Sequence, residues 1–201
     1  MNIEHLVHLV YSAILILLIL DYITLINIVI MATTKQIEFA KEVYLAAKDG
    51  EIDPVFVTAQ ACLETGWGKS KVGKFNIFGI TKGSWTGKTV LILTTEYFST
   101  PNKVFKAPEK KISVVKLSPT KFKYTVQRLF REYESLEQAL EDHTAIFKKS
   151  MYADAWPFRK DPVKFAEKIC DNMGAKYATS PSYLTSLKCM IGQIKNYSKN
   201  W

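Results

Sequence analysis

Apolar residues along this chain fall mostly at helical spacing, with two stretches of strand-like alternation set in the middle. Gln36 to Asp49 carries Ile37, Phe39, Ala40, Val43, Tyr44 and Ala47 on one helical face, and Asp49-Gly50 stops it. Asp53-Pro54 opens a second helix, because an acid at the N-cap and a proline in the first turn suit a helix start. As far as about Glu64 that helix is apolar on most sides, which predicts a central, buried element. Ser135 followed by Gln138 makes a capping-box pattern ahead of an amphipathic helix to Ser150. Asp161-Pro162 opens another, from Pro162 to Met173 with Gly174 closing it, and Ser180-Pro181 opens the last, which ends near Tyr197.

Thr89 to Tyr97 is β-branched and aromatic and predicts a strand, as does Phe122 to Tyr133. Alternation along the first turns Glu96 away from the face of Thr95 and Tyr97. Between the two, Ser99 to Lys121 holds lysines and prolines with no clear period outside Ile112 to Val115, which predicts a solvated basic loop or hairpin extension. No internal repeat or low-complexity segment is present.

Ahead of these elements lies an apolar segment, Leu6 to Ile30, long enough to cross a bilayer, for which about 20 residues suffice. Three readings compete for residues 1–30. A secretory signal is opposed by Glu4, by the lack of an N-terminal cation and by the lack of a small-residue cleavage site before Ala32. A membrane anchor would put Lys35, Lys41 and Lys48 on the cytoplasmic side. Alternatively translation starts at Met31, and residues 31–201 are the protein domain.

Charge and cysteines narrow the picture only a little. The first 30 residues hold Glu4 and Asp21 and none of the 27 Lys and Arg, which leaves 27 bases against 17 acids beyond them, a net of +10. Such a surface suits nucleic acid, an anionic membrane or an anionic polymer. No zinc-finger spacing, RNP aromatic pair or Walker loop accompanies it, so nucleic acid is not expected as a partner. Cys62, Cys170 and Cys189 are odd in number and irregularly spaced, and read as buried free thiols rather than a disulfide framework. His5, His8 and His143 lie near no paired cysteines, so no metal site is expected. Cys62 has no recognisable histidine partner to make it a nucleophile.

The candidate chemistry starts at Glu64, a carboxylate at the end of the apolar helix against the turn Gly66-Trp67-Gly68. Next to indole and aliphatic groups its charged form loses solvation, its pKa rises, and it suits a general acid that protonates a leaving oxygen. The bland alternative is an ordinary helix-end residue with Gly66 as stop signal.

Glu64 belongs to a larger pattern. Gln60-Ala61-Cys62-Leu63-Glu64-Thr65-Gly66-Trp67-Gly68-Lys69-Ser70 is followed by Asn76-Ile77-Phe78-Gly79-Ile80 and Thr94-Thr95-Glu96-Tyr97. Phe130-Arg131-Glu132-Tyr133-Glu134-Ser135 and Tyr177-Ala178-Thr179-Ser180-Pro181-Ser182-Tyr183 complete the series. In order and spacing these resemble the glucosaminidases of glycoside hydrolase family 73, relatives of the flagellar rod-cap muralytic domain, over roughly Thr34 to Lys195. Lys176 and Ser180 depart from the glycine and aspartate usual at those places.

The resemblance implies an α+β, mostly α, lysozyme-like fold with a β-hairpin lobe beside a long cleft, and hydrolysis of peptidoglycan glycan strands at the β-1,4 bond after N-acetylglucosamine. It implies Glu64 as the acid, Glu96 as the second acidic residue, and one tyrosine near the cleft, Tyr177 with Tyr183 as the alternative. Trp67, Asn76, Phe78, Trp85 and Tyr183 are the expected substrate contacts, although Asn76 also suits satisfying buried backbone and Trp85 also suits filling the core. Neither inversion through a water nor attack by the substrate's own acetamido oxygen needs a metal or cofactor.

The expected partner is therefore the glycan strand, with a membrane involved only if residues 6–30 span it. The place of action is the cell wall or periplasm, reached through a membrane segment or by pore-dependent release. A muramidase or lytic transglycosylase of similar fold, and a wall-binding module without turnover, are the rival readings; an intact Glu64 and Glu96 argue against the last.

Overall fold

The computed structural model describes residues 33–171, Tyr177 and 182–201. The segment 1–32, with the expected span and the Met31 start, lies outside the described residues, as do Lys176 and Ser180. The chain divides into two units, Met1–Phe39 and Ala40–Trp201. Of the first, the described residues 33–39 are helical, and that helix, α1, runs through 47 into the second. Among the described residues no helix is long and apolar enough to cross a membrane.

The second unit is organised around α2, Pro54–Thr65. The Asp53 carboxylate accepts a hydrogen bond from Val55 N at 2.9 Å, and Pro54 occupies the first turn, as expected. Phe56 through Cys62 are all buried. Phe56 meets Phe147 of α3 (Leu136–Phe147) and Phe165 of α4 (Pro162–Asp171) edge-on at 6.0 and 4.8 Å. Leu187, Ile191 and Ile194 of α5 (Tyr183–Tyr197) complete this core. At the start of α3, Ser135 Oγ accepts from Gln138 N, but the Gln138 side chain reaches back to Glu134 N rather than to the cap residue itself.

The sheet differs from a simple hairpin. β1 (Thr89–Phe98), β2 (Lys110–Ser118) and β3 (Lys121–Arg131) form an antiparallel sheet in the order β1-β3-β2. β2 falls inside the segment expected to be a loop. It pairs only with β3, and all its residues except Val114 and Ser118 are exposed, so no apolar alternation marks it in the sequence. Its lysines suit an outer edge strand, where they discourage further pairing.

Glu96 pairs with Tyr124, which places it on the face opposite Thr95 and Tyr97, as the alternation predicts. That face carries its own small core of Phe122, Tyr124 and Val126, covered by Phe98, Phe105 and Val114. Tyr124 OH donates to Thr100 O at 2.7 Å and accepts from Lys103 N, which pins the 99–105 loop over the sheet. Arg131, at the end of β3, reaches both oxygens of Asp142 on α3 at 2.6 Å, and Tyr133 OH donates to the same carboxylate.

Of the three cysteines only Cys62 is buried; Cys170 is half-buried and Cys189 exposed, contrary to the expectation for all three. Cys189 lies off the α5 face formed by Leu187, Ile191 and Ile194. All three are free thiols.

Candidate active site

Glu64 stands one residue before the end of α2, and the turn that follows is a left-handed run: Gly66, Trp67 and Gly68 have φ of 57°, 62° and 80°. Trp67 bears a side chain in a region that L-residues avoid, so this turn stores strain of a kind that collects at functional sites. It is held by Trp67 N donating to Cys62 O and Gly68 N donating to Thr65 Oγ1, while that hydroxyl donates to Ala61 O. The Trp67 indole is half-buried and meets Tyr197 edge-on at 6.2 Å.

The Glu64 carboxyl is met by Tyr183, whose hydroxyl donates to Oε1 at 2.9 Å. Gln60, one helical turn before Glu64, donates from Nε2 to the Tyr183 oxygen at 3.0 Å. Gln60 Oε1 in turn lies 2.7 Å from His143 Nε2. Burial pushes the pKa of Glu64 above the ordinary glutamate value against the opposing pull of the Tyr183 bond. The residue as a whole is exposed, so the desolvation of its carboxyl is partial and leaves it accessible to an incoming oxygen. Tyr177, the first-choice tyrosine, stacks on Phe147 at 5.5 Å and lies 5.7 Å from the Tyr183 ring; it backs Tyr183, which is the one hydrogen-bonded to Glu64.

Glu96 sits in a separate charged group. Arg128 Nη1 contacts both its oxygens at 2.8 and 2.9 Å, and Arg128 Nε contacts Glu109. Burial raises the Glu96 pKa, with the charge of Glu109 adding to the rise and Arg128 opposing it.

Three expected substrate contacts have other work. Asn76 is 1% exposed and spends its side chain on backbone, donating to Ile80 O and Arg131 O and accepting from Ile80 N. Phe78 is buried and stacked on the His143 ring at 3.8 Å. Neither presents surface to a substrate; they tie the loop after the turn to β3 and α3. Trp85 is half-buried, donates its indole N–H to Lys88 O, and has the Arg131 guanidinium over its ring and Tyr133 at its edge. A Cβ at Gly87 would lie 2.6 Å from that ring, so the turn needs glycine there. Asn76→Ala should cost about 3 kcal/mol, since it strands buried backbone groups, with little change in KM for the variant that folds. Urea denaturation beside steady-state kinetics checks this.

Two members of the cluster were not foreseen, Gln60 and His143. Each had a sequence signal. Gln60 is a long polar residue within an apolar helix, and His143 falls on the apolar face of α3 with Leu136, Ala139, Leu140 and Phe147. The Cys62 thiol is pushed up to about 12 by burial, which leaves it inert as a nucleophile. Among the described residues no group of His, Cys, Asp or Glu is arranged to hold a metal ion. A groove of about 440 Å³ lined by Ala47, Ile52, Leu140 and Lys148 involves none of the Glu64 cluster.

A buried helix ending on an acid, with a small sheet carrying a second acid, is the architecture of a lysozyme-like glycoside hydrolase domain. Residues 40–196 match the family described as mannosyl-glycoprotein endo-beta-N-acetylglucosaminidase, and the chain belongs to this glucosaminidase family. It is 30% identical over 160 residues to the peptidoglycan hydrolase FlgJ of Pseudomonas aeruginosa, covering 76% of this chain and 34% of that protein. A probable N-acetylmuramidase of Lactococcus lactis subsp. cremoris is 32% identical over 149 residues, 70% of this chain and 28% of its own length. The chain thus spans less than half of the length of the curated relatives it matches here. The glycoside hydrolase domain of Salmonella typhimurium FlgJ superposes with a TM-score of 0.54 at 25% identity, over 83% of this chain and 87% of that one.

Proposed function

We propose that the domain is a peptidoglycan hydrolase that cleaves the β-1,4 bond after N-acetylglucosamine, with Glu64 as general acid. The observation that carries the reading is the Glu64 carboxyl with its raised pKa, hydrogen-bonded by Tyr183 at the rigid end of a buried helix. A protonated carboxyl there delivers its proton to the departing sugar oxygen as an oxocarbenium-like centre develops. Tyr183 donates to Oε1, so the transferable proton resides on Oε2.

Glu96 is the second acidic group. Arg128 engages both its oxygens, which suits a fixed negative charge that stabilises the cationic centre better than a base with free lone pairs. That favours attack by the substrate's own acetamido oxygen over a water activated by Glu96. The strongly basic composition suits an anionic wall polymer.

Digestion of purified peptidoglycan, followed by borohydride reduction and mass spectrometry, tests the bond specificity. New reduced N-acetylglucosamine ends are expected. Reduced N-acetylmuramic acid ends would make the domain a muramidase, and anhydro ends a lytic transglycosylase.

A further inference from the structure

We propose that Gln60 and His143 are positioning residues that set the direction of the hydrogen-bond chain ending on Glu64, so that the only proton of the Tyr183 hydroxyl is committed to Oε1. The inference rests on the reading of Glu64 as the acid.

The chain runs His143 Nε2, Gln60 Oε1, Gln60 Nε2, Tyr183 OH, Glu64 Oε1, with steps of 2.7, 3.0 and 2.9 Å. Gln60 is fully buried and His143 is 1% exposed. An amide has one donor end and one acceptor end, and a hydroxyl has a single proton, so the chain as a whole has two possible directions. In one, His143 Nε2–H donates to Gln60, Gln60 N–H donates to Tyr183, and Tyr183 O–H donates to Glu64. In the other, Tyr183 donates to Gln60 Oε1, the Gln60 amide nitrogen donates to a bare His143 Nε2, and Glu64 must itself donate to Tyr183.

His143 decides between them. Its ring is stacked on Phe78 at 3.8 Å and met edge-on by Phe147 at 5.0 Å, and Nδ1 has no hydrogen-bond partner among the described residues. The second direction would put the imidazole proton on Nδ1, a buried donor with nothing among the described residues to accept it. An orphaned buried donor is the rarer and costlier defect, whereas a bare lone pair is tolerated more readily. Burial also drives the His143 pKa down to about 3, so the ring is neutral at working pH and only one nitrogen carries a proton. The first direction follows. Gln60 therefore fills a lone pair of Tyr183 and turns its proton toward Glu64, leaving the other carboxyl oxygen to hold the proton that leaves.

Gln60→Met tests this with little change of shape. It removes the donor to Tyr183 and the acceptor from His143 without placing a carboxyl at a fully buried position, so nothing turns the Tyr183 proton toward Glu64. Steady-state kinetics on solubilised peptidoglycan should show kcat lowered about threefold to tenfold with KM within about twofold. In a Tyr183→Phe background, where the chain is already cut, the same substitution should lower kcat by less than about twofold. Gln60→Leu, which removes the same two bonds, gives the same background dependence and decides the matter if Gln60→Met does not fold. Unchanged kcat, or an equal fall in both backgrounds, would overturn the inference and make Gln60 a packing residue. Retained activity in Glu64→Gln would instead remove the acid on which the inference rests, a distinguishable result.

Discussion

Replacing Glu64 by Gln should lower kcat by about a hundredfold to ten-thousandfold, the usual contribution of a positioned general acid. The amide keeps the shape of the carboxyl and still accepts the Tyr183 hydroxyl on its oxygen, so the loss reports the missing proton rather than a collapsed site. Binding of glycan fragments should persist. Stability should move the other way. Folding raises the Glu64 pKa, so between the ordinary carboxylate value and the raised one the folded state holds a proton that the unfolded chain has released. Stability contributed at this position therefore falls as pH rises through that window, and above it the cost of the partly desolvated charge is fully present. Glu64→Gln should melt at or above the wild-type temperature near neutral pH, with the two converging in acid. Calorimetry at both ends of the range checks this; a variant that melts well below wild type at neutral pH would show that the carboxylate holds the fold together.

Tyr183→Phe is the second large effect. It removes a hydrogen bond to a carboxyl and leaves Gln60 Nε2 without its acceptor, which should cost about tenfold to a hundredfold in kcat. Because the Tyr183 bond lowers the Glu64 pKa, its loss should also move the alkaline limb of the rate profile to higher pH. Tyr177→Phe retains the ring stacked on Phe147 and should reduce kcat less. Paired pH-rate profiles of the two variants separate them. A larger loss from Tyr177→Phe than from Tyr183→Phe would reverse the assignment.

The helices α2 and α3 were legible because their starts have a local cause: Asp53-Pro54 and Ser135 cap the helices they were expected to cap. Glu64 was legible for the same reason, since its place depends on where α2 ends. β2 was not, because an exposed edge strand has no buried face to impose alternation. Asn76 illustrates a different limit. The sequence marks it as a polar residue in an apolar loop, but whether its amide faces substrate or backbone depends on Arg131, distant in sequence. The choice between Tyr177 and Tyr183 likewise depends on how α5 lies along α2, a packing fact that a motif does not contain. Gln60 and His143 are 83 residues apart, and only the packing of α2 against α3 makes them one unit.

The most direct test is the titration of Glu64 itself, followed by NMR in protein labelled with ¹³C at the glutamate carboxyls, with the Glu64 signal assigned by its absence from Glu64→Gln. A midpoint above that of ordinary solvent-exposed glutamates, coincident with the alkaline limb of kcat/KM and raised further in Tyr183→Phe, is the result expected of a general acid held protonated by its surroundings. A midpoint in the ordinary glutamate range, or an alkaline limb that does not follow it, would contradict the role assigned to Glu64.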